Sequence, residues 1–244
     1  MTATFAALLL AHACADFLLQ SDAMAAGKQA RRPGPLALHI LIVLATACLV
    51  VAPKGAEALI PLLALTGAHL LIDLGKSFAP ATSLAAFLLD QVLHLASILA
   101  VAMLWPGLFA AGWLAPMPWL PPVMILIAGL IIATQAGGYA IGLLVRPYGR
   151  AFRAEGLPHG GQLIGLLERG LIFFFILTGQ PASVGFLIAA KSVLRFDAAK
   201  RKQKVAEYVI IGTLASFGWA LVAAYATLAL LDLVPPLGFL PGKD

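Results

Sequence analysis

Three histidine–aspartate pairs, each spaced by four residues, interrupt apolar stretches that are otherwise long enough to cross a bilayer: His12/Asp16, His69/Asp73 and Asp90/His94. The combination leaves little freedom of fold. A span of about 20 apolar residues crosses the hydrocarbon core as a helix, because a helix satisfies every backbone polar group within its own segment. On a helix, four residues make about one turn, so each pair lies on one face. Carboxylates and imidazoles are expensive in lipid and ordinarily have a task there. Three pairs built from the same two residue types read as a ligand set for a metal.

The composition agrees with a polytopic membrane protein. Of 244 residues, 61% are hydrophobic and only 11% are Asp, Glu, Lys or Arg, against roughly 25% charged residues in a soluble domain. The net charge of +5 does not call for nucleic acid, since the basic residues fall in short loops where they orient the chain across a membrane. Cys14 and Cys48 both sit in apolar segments and neither has a CxxC partner, which argues against a disulfide framework or cysteine-ligated zinc. The first apolar stretch has no basic leader and carries His12 and Asp16 in its middle. It reads as a retained helix and not as a cleaved signal.

The expected fold class is all-α, an integral membrane protein with about eight spans near 3–20, 36–52, 58–75, 83–104, 122–145, 162–179, 182–195 and 206–231. The seventh is short for a full crossing. Basic residues favour alternate loops: Lys28, Arg31 and Arg32, then Lys76, then Arg146, Arg150 and Arg153, then Arg195, Lys200, Arg201, Lys202 and Lys204. The intervening loops are nearly free of them, with only Lys54 in 53–57. Cationic loops stay cytoplasmic, so both termini are expected outside. Residues 105–121 (WPGLFAAGWLAPMPWLP) suit an interfacial cap. They divide a single membrane domain, 1–244, into a four-helix half at 1–104 that carries the His/Asp site and a second half at 122–244.

Topology gives the pairs a common depth. Spans one and three run inward with His before Asp; span four runs outward with the order reversed. In all three the Asp therefore lies nearer the cytoplasm and the His about one turn, ~6 Å, deeper. The expected site is a layer of Asp16, Asp73 and Asp90 below a layer of His12, His69 and His94. Such a set can hold one or two divalent metals, much as inward Glu and His do in bundles, and suits zinc, manganese or iron. Gln20 continues the face of Asp16. Lys76, three residues after Asp73, is placed to neutralise surplus carboxylate charge, to bind an anionic substrate or to snorkel. Gln91 neighbours Asp90 but is expected on another face. His39, alone at the start of span two, reads as structural or interfacial.

The second half has its own polar line. Glu168 and Arg169 are adjacent and diverge by about 100° on a helix, so each needs a partner elsewhere, for Glu168 either Lys191 or Arg195. The plain reading is structural ion pairing. The sharper one makes Arg169, Lys191 and Arg195, with Glu168 and Gln20, the lining for an anionic headgroup. The basic stretch 195–208 suits the anionic cytoplasmic leaflet.

With AHACADFLLQ (11–20), HLLIDLGK (69–76), DQVLHL (90–95), GQLIGLLERG (161–170), AAKSVLRF (189–196) and EYVIIGTLASF (207–217) in view, the chain resembles uncharacterised multi-pass proteins of bacteria and bacteriophages, a domain of unknown function. The first half also resembles bacterial inner-membrane proteins described as metal-dependent hydrolases. That likeness implies a hydrolase acting from the cytoplasmic side on a lipid-linked or amphipathic anionic substrate. Asp16, Asp73 and Asp90 would be ligands, one of them also a general base. The alternatives are a divalent-metal or proton-coupled transporter using the same cluster, and a non-catalytic membrane partner with a structural metal.

Overall fold

The computed structural model describes the backbone of residues 1–149, 160–199 and 203–237, and the side chains of 1–147, 160–193 and 207–237. Among the described residues the secondary structure is helical apart from one isolated bridge between Pro53 and Gly112. Two compact units result. The first is Met1–Ile131 with Leu230–Leu237, and the second spans Ile132–Ala229. The division falls inside one long apolar helix, not at the 105–121 loop.

In the first unit, α1 (Thr2–Phe17) is the centre. It packs against α3 (Pro33–Val51), α5 (Leu84–Leu104) and α6 (Leu120–Ile131). Its run of small residues permits this. Ala6, Ala7, Ala13 and Ala15 are fully buried, and small side chains let helix backbones approach closely in an apolar medium. The expected first span stops early. The chain turns by 90° after Phe17 into α2 (Asp22–Gln29), where Ser21 accepts the amide of Met24 as N-cap. A Cβ on Gly27 would meet the Pro35 ring at 2.5 Å, so only glycine lets α2 lie this close to α3. The far end of α2 is tied to the loop after α4 (Leu59–Lys76). Gln29 donates to the carbonyls of Ser77 and Ala79, and Arg31 stacks on Phe78.

The 105–121 segment does cap α1. Thr4 Oγ1 donates to the Pro106 carbonyl and accepts the Phe109 amide, while Trp113 and Trp119 stay exposed.

The second unit begins with a π-helical segment, Ile132–Ala136, followed by α7 (Gly137–Gly149), α8 (Gly160–Leu177), α9 (Ala182–Ala199) and α10 (Gln203–Leu231). A π segment misaligns the backbone ladder and frees carbonyls. Trp219 Nε1 donates to that of Ile132.

Among the described residues, six helical stretches are long and apolar enough to cross a membrane: Pro33–Val51, Ala56–Lys76, Leu84–Leu104, Leu120–Pro147, Gly160–Leu177 and Glu207–Leu231. The bent α1–α2 pair would make a seventh, and Ala182–Val193 is a shorter apolar helix. The difference from eight has two causes, the break after Phe17 and the short apolar length of α9. Leu49, Leu71, Leu104, Phe186 and Val222 turn outward and are largely exposed. Their outward display with ionisable groups inside fits an apolar surrounding.

Candidate metal centre

The α-helical period places His12 and Asp16 on one face of α1, His69 and Asp73 on one face of α4, and Asp90 and His94 on one face of α5. Packing turns all three faces toward one another. His69, Asp73, Asp90 and His94 are each no more than 5% exposed. The imidazoles of His12, His69 and His94 lie together, with ring centroids 4.1 Å apart for His69–His94, 5.0 Å for His12–His94 and 5.8 Å for His12–His69. Three overlapping groups bring ligand atoms within 4.8 Å of one another: His12/Asp16/His69, His39/His69/Asp73 and Asp73/Asp90/His94.

His39 corrects the reading of it as a structural or interfacial residue. α3 delivers it to the middle of the cluster with no exposed surface. Its Nε2 lies 3.1 Å from His69 Nε2, 3.4 Å from Asp16 Oδ1 and 3.5 Å from Asp73 Oδ2. A lone His has no periodic partner on its own helix, so only the packing of α3 on α1 and α4 could reveal it. The expected separate layers of Asp and His therefore interlock, with His39 and His69 reaching two carboxylates at once.

Gln91 is also corrected. Its Nε2 donates to Asp90 Oδ2 at 2.9 Å, and its Oε1 faces His12 Nε2 at 3.3 Å. The first bond fixes the amide, because a carboxylate only accepts. The amide oxygen then accepts from His12, so the proton of that ring sits on Nε2 and the lone pair on Nδ1. His12 Nδ1 is buried without a hydrogen-bond partner, 3.8 Å from Asp16 Oδ2. His94 is set in the same manner. Its Nδ1 donates to the Asp90 carbonyl at 2.8 Å, which leaves the Nε2 lone pair buried and unpartnered. A hydrogen bond to one ring nitrogen that aims the other inward is how metal-binding imidazoles are held.

Asp16 Oδ1 and Asp90 Oδ1 are likewise buried without hydrogen-bond partners. Each such atom costs about 1–3 kcal/mol if nothing meets it. Lone pairs that converge in a dry site repel one another unless a cation lies among them. The donor set is all imidazole nitrogen and carboxylate oxygen, which fits a borderline divalent ion.

Two lysines hold the carboxylates. Lys28 Nζ lies 2.6 Å from Asp73 Oδ2 and donates to Gln20 Oε1 at 2.7 Å. Lys76 Nζ lies 2.7 Å from Asp90 Oδ2. Lys76 and Gln20, both expected to meet substrate, are thus engaged at the cluster itself. Lys28, read from the sequence only as an orienting charge, is brought in by the turn at 18–21. Both lysines meet Asp and neither meets His, as expected if the Asp side faces the basic loops.

A small cavity beside the three rings is lined mainly by apolar side chains, Leu8, Val43, Leu65 and Ile98, together with Ser97. Leu8 and Ile98 are almost fully buried.

The second-half candidates are placed in the second unit. Glu168 and Lys191 form an ion pair at 2.6 Å, one of the two partners anticipated. Arg169 is buried. Its Nε and Nη2 donate to the Thr134 carbonyl at 3.1 and 2.8 Å, and its Nη1 donates to Ser216 Oγ at 3.2 Å. It thus binds a backbone carbonyl within the π segment. A Cβ on Gly138 would come within 2.9 Å of its Nη2, so glycine makes room for the guanidinium. Arg195, Arg150 and Arg153 lie outside the described side chains, as does most of 195–208.

Residues 4–119 match the sequence profile of a family described as "Protein of unknown function (DUF3307)". The match covers just under half of the chain. It contains Lys28, Lys76, Gln91 and every histidine and aspartate of the cluster. The segments 161–170, 189–196 and 207–217, which also carried the resemblance seen in the sequence, lie beyond it. No curated protein and no solved structure matches the chain.

Proposed function

We propose that the chain is a metal-dependent hydrolase of the bacterial inner membrane, with about eight membrane-crossing or membrane-embedded helices and both termini outside. The observation that carries the reading is that His12 Nδ1, Asp16 Oδ1, Asp90 Oδ1 and His94 Nε2 are buried without hydrogen-bond partners, on residues whose ligand atoms gather within 4.8 Å in the groups His12/Asp16/His69 and Asp73/Asp90/His94. His12, Asp16, His69, Asp73, Asp90 and His94 hold the metal, with His39 between them. Zinc, manganese and iron all suit this donor set. When bound, the ion supplies Lewis acidity to the scissile group.

The chain's own residues supply position and proton transfer. Asp16, which no lysine neutralises among the described residues, accepts a proton from the attacking water. Lys28 and Lys76 stand at the Asp side and meet the negative charge of a substrate entering from the cytoplasm. A lipid-linked or amphipathic anion fits a site of this polarity set among outward leucines. Arg169, Lys191 and Arg195 were candidates for the same headgroup. The bonds of Arg169 and Lys191 within the second unit favour a framework role for those two.

The mainly apolar lining by Leu8, Val43, Leu65 and Ile98, with Ser97 beside them, weighs against a transporter, since a transit path needs a run of polar groups on both sides of its binding site. The test is hydrolysis of amphipathic phosphoesters in detergent micelles by the purified chain, with Zn2+, Mn2+ or Fe2+ supplied. Expected is turnover that a chelator abolishes and that Asp90→Asn lowers at least 100-fold. A chain that retains no divalent ion after purification without chelators ends this reading.

A further inference from the structure

Resting on the reading of the cluster as a metal centre, we propose that it takes two divalent cations, the second exchanging for the ammonium groups of Lys28 and Lys76. Of the three ligand groups, the middle one borrows His69 from the first and Asp73 from the third. The first, His12/Asp16/His69, and the third, Asp73/Asp90/His94, share no residue. They are the two that fill together without any side chain serving twice. Each has its own buried unpartnered atoms, His12 Nδ1 and Asp16 Oδ1 in the first, Asp90 Oδ1 and His94 Nε2 in the third.

The two groups differ in charge. The first has one carboxylate and, among the described residues, no lysine against it. The third has two carboxylates, and each carries a lysine on its Oδ2, at 2.6 and 2.7 Å. Two carboxylates and two ammoniums sum to zero. One divalent ion in place of the two ammoniums also sums to zero. Ion and ammoniums together would leave two uncompensated positive charges in a buried site, which a low-dielectric interior strongly penalises. The charge-neutral step is therefore exchange.

Both lysines already touch a second resting place. Lys28 donates to Gln20 Oε1 at 2.7 Å. Lys76 Nζ lies 5.4 Å from the Phe87 ring centroid, within cation–π range. Their flexible four-carbon stems allow the ammonium to leave Asp73 or Asp90 without a backbone change. The first site is thus a tight one and the third a weaker, exchangeable one. Filling the third releases two ammoniums at the Asp side of the cluster, where they suit a phosphate-type anion.

Titration of the full-length metal-free chain with Zn2+, followed by calorimetry and elemental analysis, tests this. Two Zn2+ per chain are expected, in a tight and a weaker class. His94→Ala removes the weaker class and His12→Ala the tight one. Lys76→Met removes a competitor and tightens the weaker class at least tenfold, leaving the tight class in place. Lys28→Gln, whose amide still donates to Asp73, gives the same tightening if the Met variant does not fold. Saturation at one Zn2+ overturns the two-ion inference and leaves the metal-dependent reading standing. No bound Zn2+ overturns both. Two Zn2+ with affinities unmoved or weakened by the lysine variants overturns the exchange.

Discussion

Gln91 shows how one side chain decides what a neighbouring imidazole can do. Its amide is pinned by donation to Asp90 Oδ2, so its oxygen must face His12 and take the Nε2 proton. That choice leaves Nδ1 as the lone pair aimed inward. Gln91→Leu keeps the volume but removes both bonds. It is expected to weaken divalent-metal affinity about 10- to 100-fold, the usual cost of losing an outer partner of a ligand. Calorimetric titration with Zn2+ measures it, and an unchanged Kd would show that Gln91 does not set the tautomer. His39 and Gln91 were both visible in the sequence as polar residues in apolar segments, but neither belongs to a His/Asp pair along its own helix. Their roles come from neighbours on other helices.

At the level of elements, the irregular ones do the positioning. The turn at 18–21 ends α1 short of the expected residue 20, and part of the expected first loop forms a crosswise α2 that carries Lys28 to Asp73. In the π segment 132–136 the Thr134 carbonyl accepts two N–H groups of Arg169. Arg169→Met removes these bonds from a charged donor, at a cost of about 2–3 kcal/mol. Chemical unfolding in detergent micelles reads this directly. If Arg169 instead serves a substrate headgroup, the variant keeps its stability and loses substrate affinity.

At the level of the whole molecule, the cluster is a liability until something positive fills it. Its carboxylates and lone pairs lie between α1, α3, α4 and α5, so an ion bound there links four helices. Binding to the folded chain alone stabilises it by about 2.7 kcal/mol at 100 times the Kd. Thermal unfolding in detergent is therefore expected to shift upward by several degrees with Zn2+ and to fall back with a chelator. A midpoint that ignores Zn2+ would mean the histidines and aspartates satisfy one another unaided.

From its own residues the sequence determined the all-helical class, the apolar stretches suited to a membrane, and the three His/Asp pairs each on one helix face. Those features are local: apolar length, loop charge and a 3.6-residue period are all written along a single segment. Tertiary structure alone decided that His39 joins the cluster, that Gln91 bridges Asp90 to His12, that Lys28 reaches Asp73, and that Arg169 braces a π segment. Each of these depends on the rotation of one helix against another, or on where a helix breaks. His39 meets His69 across 30 residues and Gln91 meets His12 across 79. Such contacts follow from how the helices pack, which no periodicity within one helix encodes.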